Sequence, residues 1–457
     1  MSLEREPAEE ADLLDPFRQF FALERDVLVL SAAMFAFSLG FQMTSRYMAE
    51  YMYALGATGA VVGLFGSFGN VISAVYPYPG GAISDRIGSR DALTAFGLCS
   101  TVGFGIWLAA PALADVTIGP TSLAIVAVFL GLLLAQAWKS FGLGATFAIV
   151  KQAVPPSQLA AGFASTETFR RTAFLVGPLF AAALFYPFGS SDGEIVTAFQ
   201  LILLVAVAFG ALGTVVQHVL YRPDEDDIGK EFEGVSQLLA DLRAMPSELR
   251  PLLIGDTLVR FANGMVYVFF VLVVTRVLEV GLSVSVPAVG TVSLSPQSYF
   301  GVLLGIEMVV ALLTMIPVAK AAERIGLKPV VALGFVVYAV FPILLINAPA
   351  DAAVLAGLFA FSGLRFAGLP AHKALIVGPA EQGAGGRVTG AYYLLRNLIV
   401  IPSAALGGLL WDGVSNPLTG VELFAGDPVV AFSVATGVGL VGTAYFLVFG
   451  EEFEAYR

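Results

Sequence analysis

The sequence predicts an all-α integral membrane protein: twelve transmembrane helices arranged as two pseudo-symmetric six-helix bundles. Three observations carry that prediction. Apolar runs of about 20 residues recur along the whole chain, each long enough to cross a hydrocarbon core of about 30 Å. The chain repeats itself: a shift of 238 residues aligns Arg86 with Arg324, Ile87 with Ile325 and Gly88 with Gly326. Without a gap the same shift places Gly63 on Gly301, Val71 on Val309 and Pro79 on Pro317. Finally, positive charge falls in every second loop. Composition agrees, with 57% hydrophobic and 13% charged residues among 457 and a mean hydropathy of +0.84. A soluble domain carries about 25% charged residues.

Residues 1–25 are acidic (Glu4, Glu6, Glu9, Glu10, Asp12 and Asp15), the wrong sign for a secretory signal, so they read as a cytoplasmic N-terminal segment. Within them Leu13, Leu14, Phe17, Phe20 and Phe21 suggest a helix lying on the membrane surface. Six spans follow at 26–51, 59–80, 91–113, 121–149, 159–186 and 196–220, giving an N-terminal bundle over 26–220. A charged linker occupies 221–250. Its Ile228, Phe232, Val235, Leu238, Leu239, Leu242 and Met245 recur at helical spacing, which predicts an amphipathic helix along the inner face. Six more spans at 251–277, 299–319, 329–348, 352–377, 387–411 and 429–449 form the C-terminal bundle over 251–449. Residues 450–457 are a short cytoplasmic tail. Between spans seven and eight, Leu282, Val284 and Val286 alternate before a Pro287–Gly290 turn and then Val292 and Leu294. This predicts a small extracellular β-hairpin.

The charges set the orientation. With the N-terminus in the cytoplasm, fifteen Lys and Arg fall in inner loops and tails, among them Arg86, Arg90, Lys151, Arg222, Lys320, Arg324, Lys328 and Arg387. The outer loops hold Asp115, Asp192, Glu194, Glu279, Asp351, Asp412, Glu422 and Asp427 instead. The positive-inside rule then puts both termini in the cytoplasm of a cell-membrane protein. Cys99 is the single cysteine, which excludes an intrachain disulfide. Among two histidines and one cysteine there is no metal-ligand cluster, nucleotide-binding loop or nucleophile–base pair. Neither an enzyme nor a cofactor is expected.

Charges inside the spans mark the candidate site, because a cation at mid-bilayer costs about 2.5–3.5 kcal/mol and must face protein or water. Arg170 and Arg171 in span five, Arg365 in span ten and Arg396 in span eleven lie near the middle. Arg46, Arg276 and Lys373 lie near span ends and are expected to snorkel. A second internal match, at a shift of 226, places Lys139 on Arg365 and Arg170 on Arg396. Each half thus offers a pair of cations. The buried acids, and therefore the candidates for proton coupling, are Glu307, Glu167 and Asp256. Glu167 can pair with Arg170 or Arg171, and Asp256 with Arg260 at i+4. Glu307 either carries a coupling proton or neutralises an arginine across the interface. Gln42, Asn263 and Tyr392 are the leading uncharged candidates, each of them also usable as helix-packing glue. The surplus of positive charge points to a carboxylate- or phosphate-bearing substrate.

The segment Gly81-Ala82-Ile83-Ser84-Asp85-Arg86-Ile87-Gly88-Ser89-Arg90 resembles the signature between spans two and three of the major facilitator superfamily, Gly-x-Leu-Ala-Asp-Arg-x-Gly-Arg-Lys. It departs at Ile83, Ser84 and Ser89. The weaker copy, Glu323-Arg324-Ile325-Gly326-Leu327-Lys328, occupies the equivalent place in the second half. The resemblance implies a conformational latch at Gly81, Asp85, Arg86, Gly88, Arg90, Glu323, Arg324 and Gly326. The other reading is that both copies only fix topology through their charge. The resemblance also implies secondary active transport of a small solute by alternating access, with spans 1, 4, 7 and 10 lining a central cavity. Gly177-Pro178 is a partial match to that family's antiporter motif. The leading reading is a proton-coupled transporter of an organic anion. The alternatives are a multidrug efflux antiporter and, in another class, a non-transporting sensor or scaffold. Expected partners are the bilayer, the small-molecule substrate and protons, with no nucleic acid.

Overall fold

A computed structural model describes residues 25–76, 83–84, 86–119, 121–141, 159–221, 245–286, 290–377, 385–415 and 422–452. Among these, ten helical segments are long and apolar enough to cross a membrane. Two shorter apolar helices, Gly59–Val75 and Thr172–Phe185, stand at the places of predicted spans two and five. The surface helices predicted near residues 13–21 and in the linker lie outside the described residues, apart from Met245 at the linker's end.

The N-terminal half comprises α1 (Arg25–Ser45, extended by a short helix Met48–Ala54), α2 (Gly59–Val75), α3 (Ser89–Ala109), α4 (Leu123–Ala135), α5 (Leu159–Phe185) and α6 (Asp192–Leu220). The C-terminal half comprises α7 (Arg250–Val266, extended by irregular turns to Val277), α8 (Pro296–Ile325) and α9 (Leu327–Ile346). It continues with α10 (Ala352–Gly363, then Leu369–Val377), α11 (Gly385–Val400, then Ser403–Asp412) and α12 (Pro428–Phe449).

Capping explains where the even-numbered helices begin. Thr58, Ser122, Ser295, Asp351 and Asp427 each accept a backbone N–H of the first turn, at 2.7 to 3.4 Å. At the head of α6 the Glu194 carboxylate reaches back to the Ser191 N–H at 3.3 Å. Six helices thus enter from one face with an oxygen over their free donors. On the opposite face α3 and α9 start differently. Gly88 (φ 86, ψ 152) and Gly326 (φ 93, ψ 165) take a conformation open essentially to glycine alone. The repeat conserved in the sequence is therefore a repeated backbone turn.

Among the described residues, three two-stranded pairings decorate the face that carries the caps: β1 (Thr117–Ile118) with β2 (Thr121–Ser122), β3 (Leu282–Val286) with β4 (Gly290–Leu294), and β5 (Gly413–Ser415) with β6 (Glu422–Ala425). In the middle hairpin Leu282 faces Leu294 and Val284 faces Val292, the register that the period-2 alternation specifies. The other two pairings were not foreseen, being too short to leave an alternating pattern.

Packing follows a pseudo-two-fold. α1 packs on α6 as α7 does on α12, and α3 on α6 as α9 on α12. The halves meet through α2 against α11 and α5 against α8. Leu98 and Val102 on α3, Leu212 and Val215 on α6, Leu333 and Val336 on α9, and Val441 and Val448 on α12 are exposed. These four helices form the apolar outer belt that a bilayer would cover.

The glycines of the repeat sit at the joints between halves. A side-chain carbon on Gly63 of α2 would collide with the Ala404 carbonyl of α11, and one on Gly301 of α8 with the Pro178 carbonyl of α5. Two backbones approach closely at pseudo-equivalent points because both residues lack a side chain. Pro178 thus belongs to a joint between halves, whereas Gly177 lies against Gln42 of α1 within its own half.

Candidate functional site

Two clusters of arginine, carboxylate and aromatic side chains occupy the middle of the molecule. In the first, α7 contributes Asp256 and Arg260, which face the same way because four residues make about one turn. Arg260 Nε donates to Asp256 Oδ1 at 3.3 Å, and its Nη1 to the Tyr338 hydroxyl at 3.0 Å. From α11, Arg396 Nη1 and the Tyr392 hydroxyl both donate to Asp256 Oδ2 at 3.1 Å. His372 Nε2 of α10 lies 3.3 Å from the same oxygen, too poorly aimed for a hydrogen bond. Asp256 is fully buried, a cost that its two guanidiniums and phenol offset. Arg396 also reaches Asn397 Oδ1 through Nη2 at 3.1 Å and stacks over Tyr393 at 4.7 Å.

A cavity of about 200 Å³ adjoins this cluster. Gly66 and Asn70 of α2 line one wall; Arg260, Asn263, Tyr267 and Val268 of the α7 segment and Arg396 and Asn397 of α11 line the other. It lies between the two halves. Asn263 Oδ1 is buried there without a partner.

The second cluster centres on Arg365. Its Nη2 pairs with Glu307 Oε1 of α8 at 2.6 Å, both side chains being 2% exposed. Ser362 donates to the same oxygen at 2.5 Å. The rings of Tyr267, Tyr338, Phe341 and Phe366 surround the guanidinium at 4.8 to 5.9 Å from its carbon. Its Nε and Nη1 are buried and unpaired. A cavity of about 40 Å³ opens between this group and Arg46 of α1, which lies over Tyr267 at 4.7 Å. Among the described residues no carboxylate is within ion-pair distance of Arg46. Tyr267 and Val268 line both cavities.

Several sequence expectations are revised. Arg46 does not snorkel; it lines the central cavity. Arg276 does not snorkel either: it pairs with Glu50 at 3.2 Å and Asp192 at 2.7 Å. Lys373 is exposed. Glu307 pairs within its own half, with Arg365, and not across the interface. Arg396 is held by Asp256. Lys139 stands apart from Arg365: its Nζ lies 4.1 Å from the Phe41 ring centre, beside a separate N-terminal cavity that Gln42 and Trp138 also line. The side chains of Glu167, Arg170, Arg171 and Glu323, and residues Gly81 and Asp85 altogether, lie outside the described parts.

The latch residues that can be placed make contacts within their own halves. Arg90 Nε donates to the His218 carbonyl at the end of α6 at 2.8 Å, a favourable place for a cation. Arg86 and Arg324 are exposed. Beyond Gly326, Glu452 accepts from the backbone N–H groups of Leu327 at 3.1 Å and Lys328 at 2.9 Å.

Sequence reasoning missed Glu50, which is fully buried where the halves meet. It accepts from Thr275 Oγ1 at 2.7 Å, Arg276 Nε at 3.2 Å and Gln297 Nε2 at 3.2 Å. Tyr47 donates to the Gln297 carbonyl at 3.1 Å and Ser190 to its side-chain oxygen at 3.1 Å. Asp412 accepts the Ala60 N–H at 2.7 Å. Each of these contacts joins one half to the other, so the molecule is shut at the face bearing the hairpins. The available signal was a carboxylate followed by apolar sequence, at the end of an apolar run.

The Major Facilitator Superfamily profile matches residues 28–296, more than half of the chain. No curated protein matches the sequence. Among solved structures, the fold is similar to the nucleoside transporter NupG (TM-score 0.67, 14% identity, 93% of this chain and 99% of that one). It is also similar to a bacterial homologue of the iron transporter ferroportin in the inward-facing state (0.69, 13%, 96% and 100%). A POT family transporter in complex with 5-aminolevulinic acid is a third (0.65, 14%, 94% and 99%). At these identities the likeness is one of fold.

Proposed function

The chain belongs to the Major Facilitator Superfamily and is a multi-pass secondary transporter that works by alternating access; we propose that its cargo is a small organic anion moved together with protons. The observation that carries this reading is the charge balance of the central cavities. Arg46, Arg260, Arg365 and Arg396 gather around them against two carboxylates, Asp256 and Glu307. Among the described residues, four guanidiniums and two carboxylates leave a positive surplus deep within the spans, where an unbalanced cation costs about 2.5–3.5 kcal/mol. An anion entering from water would relieve it. Arg365 keeps two unused donors, Nε and Nη1, and the Nη2 that Glu307 holds would complete a carboxylate-binding fork with either.

Glu307 supports the coupling. Protonated, it releases Arg365 Nη2 to the incoming anion; ionised, it reclaims it. Competition for one guanidinium ties substrate binding to proton binding. With the N-terminus inside the cell membrane, the face closed by Glu50, Arg276 and Gln297 is the outer one, and the cavities lie beneath it.

The test is uptake into proteoliposomes under an imposed pH gradient, with a panel of labelled organic anions. Acid-driven accumulation of one of them, lost in Arg365→Gln, supports the proposal. Accumulation of lipophilic cations instead would favour multidrug efflux, for which the Phe37, Phe41, Phe104 and Phe174 cavity beside Lys139 is the supporting feature. No flux of any solute would favour a sensor.

A further inference from the structure

We infer that the site is built for a dianion, with its two acidic groups held at two separate points. This rests on the anion reading above and specifies it. The two clusters are alike in composition. One holds Arg260 and Arg396 against Asp256; the other holds Arg46 and Arg365 against Glu307. Counting guanidiniums and carboxylates among the described residues, each cluster has two of the first and one of the second, a surplus of one positive charge. Each therefore calls for one negative group, and the pair for two.

The cavities are distinct but contiguous. Tyr267 and Val268 form a shared wall, so a ligand can pass its backbone across them. The smaller space, about 40 Å³, holds two or three waters or one carboxylate. There the free Nε and Nη1 of Arg365 and the guanidinium of Arg46, which among the described residues has no carboxylate within ion-pair distance, are the donors. The larger, about 200 Å³, takes the rest of the molecule, with Arg260, Arg396 and the amides of Asn70, Asn263 and Asn397 around it. Tyr267 lies under Arg46 and beside Arg365, which fixes both guanidiniums relative to the shared wall.

The arrangement also spans the joint between halves. Arg46, Gly66 and Asn70 belong to the first half, and Arg260, Arg365 and Arg396 to the second. A two-ended ligand reaches Arg365 and Arg396 on the second half alone and gains Arg46 only while the halves hold their relative positions. A singly charged one satisfies a single cluster and leaves the other with its surplus.

The experiment is calorimetric titration of the purified full-length protein with linear dicarboxylates from succinate to suberate, phosphonoacetate, and the monomethyl ester of each dicarboxylate. For at least one chain length the dianion is expected to bind about tenfold or more tightly than its monoester. Arg365→Gln and Arg396→Gln should each reduce the dianion to the monoester's affinity. Arg365→Lys, which keeps the charge, should restore part of the preference, and an unchanged melting temperature identifies variants that remain folded. Equal affinity for dianion and monoester at every length overturns the two-point site and leaves the anion reading standing. Failure of every anion to bind the wild-type protein overturns both.

Discussion

At the residue scale, the cations in the middle of the apolar runs were visible in the sequence because lipid tolerates them so poorly. Arg365 and Arg396 needed no structure to be singled out. Their partners did: Asp256 meets Arg396 across 140 residues and Tyr392 across 136, and no local pattern encodes such pairs. Arg46 and Arg276 were misread because position along a run was taken as depth in the bilayer, whereas tertiary contacts decide what a side chain faces. Asp256→Asn strips both Arg260 and Arg396 of their buried counter-charge. It should cost about 3–5 kcal/mol, read as a lowered melting temperature in detergent. Glu307→Gln is expected to keep anion binding and exchange but abolish accumulation driven by a pH gradient, measured in proteoliposomes.

At the scale of elements, the helices were legible from apolar run length, while their exact starts follow capping chemistry that the structure revealed. Thr58, Ser122, Ser191, Ser295, Asp351 and Asp427 all precede helices that enter from one face. The repeated Arg-Ile-Gly proved to be a turn that requires glycine. Gly88→Ala and Gly326→Ala should each cost about 1–3 kcal/mol, measurable by thermal unfolding, with α3 and α9 affected alike. The close approaches at Gly63 and Gly301 make a different prediction. Valine at either position would force α2 from α11, or α5 from α8, at a price of about 1–3 kcal/mol. Because these joints hold the halves together on the hairpin side, the variants should populate the state open to that side. Increased labelling of a cysteine placed at Ser190 would report it, in a chain carrying Cys99→Ser. The two smallest hairpins and the kinks within the seventh, tenth and eleventh spans escaped the sequence reading, since each is a few residues of irregular backbone without periodicity.

At the scale of the molecule, two related halves close against one another at one end through Glu50, Arg276, Asp192 and Gln297, above two cation-lined cavities. The internal shift of 238 residues foretold the halves and even the pair of glycines at their joints. It did not foretell which end is shut, because that depends on contacts between sequences that never resemble one another. Alternating access requires that these cavities open to one side of the membrane at a time. Its most direct test is labelling of Asn263→Cys, in the Cys99→Ser background, with a membrane-impermeant thiol reagent applied to vesicles of known orientation. Reaction from the cytoplasmic face is expected, moving to the outer face when Glu50→Gln weakens the closed end. A cysteine equally reactive from both faces, or reached from the same face with and without Glu50, would contradict it.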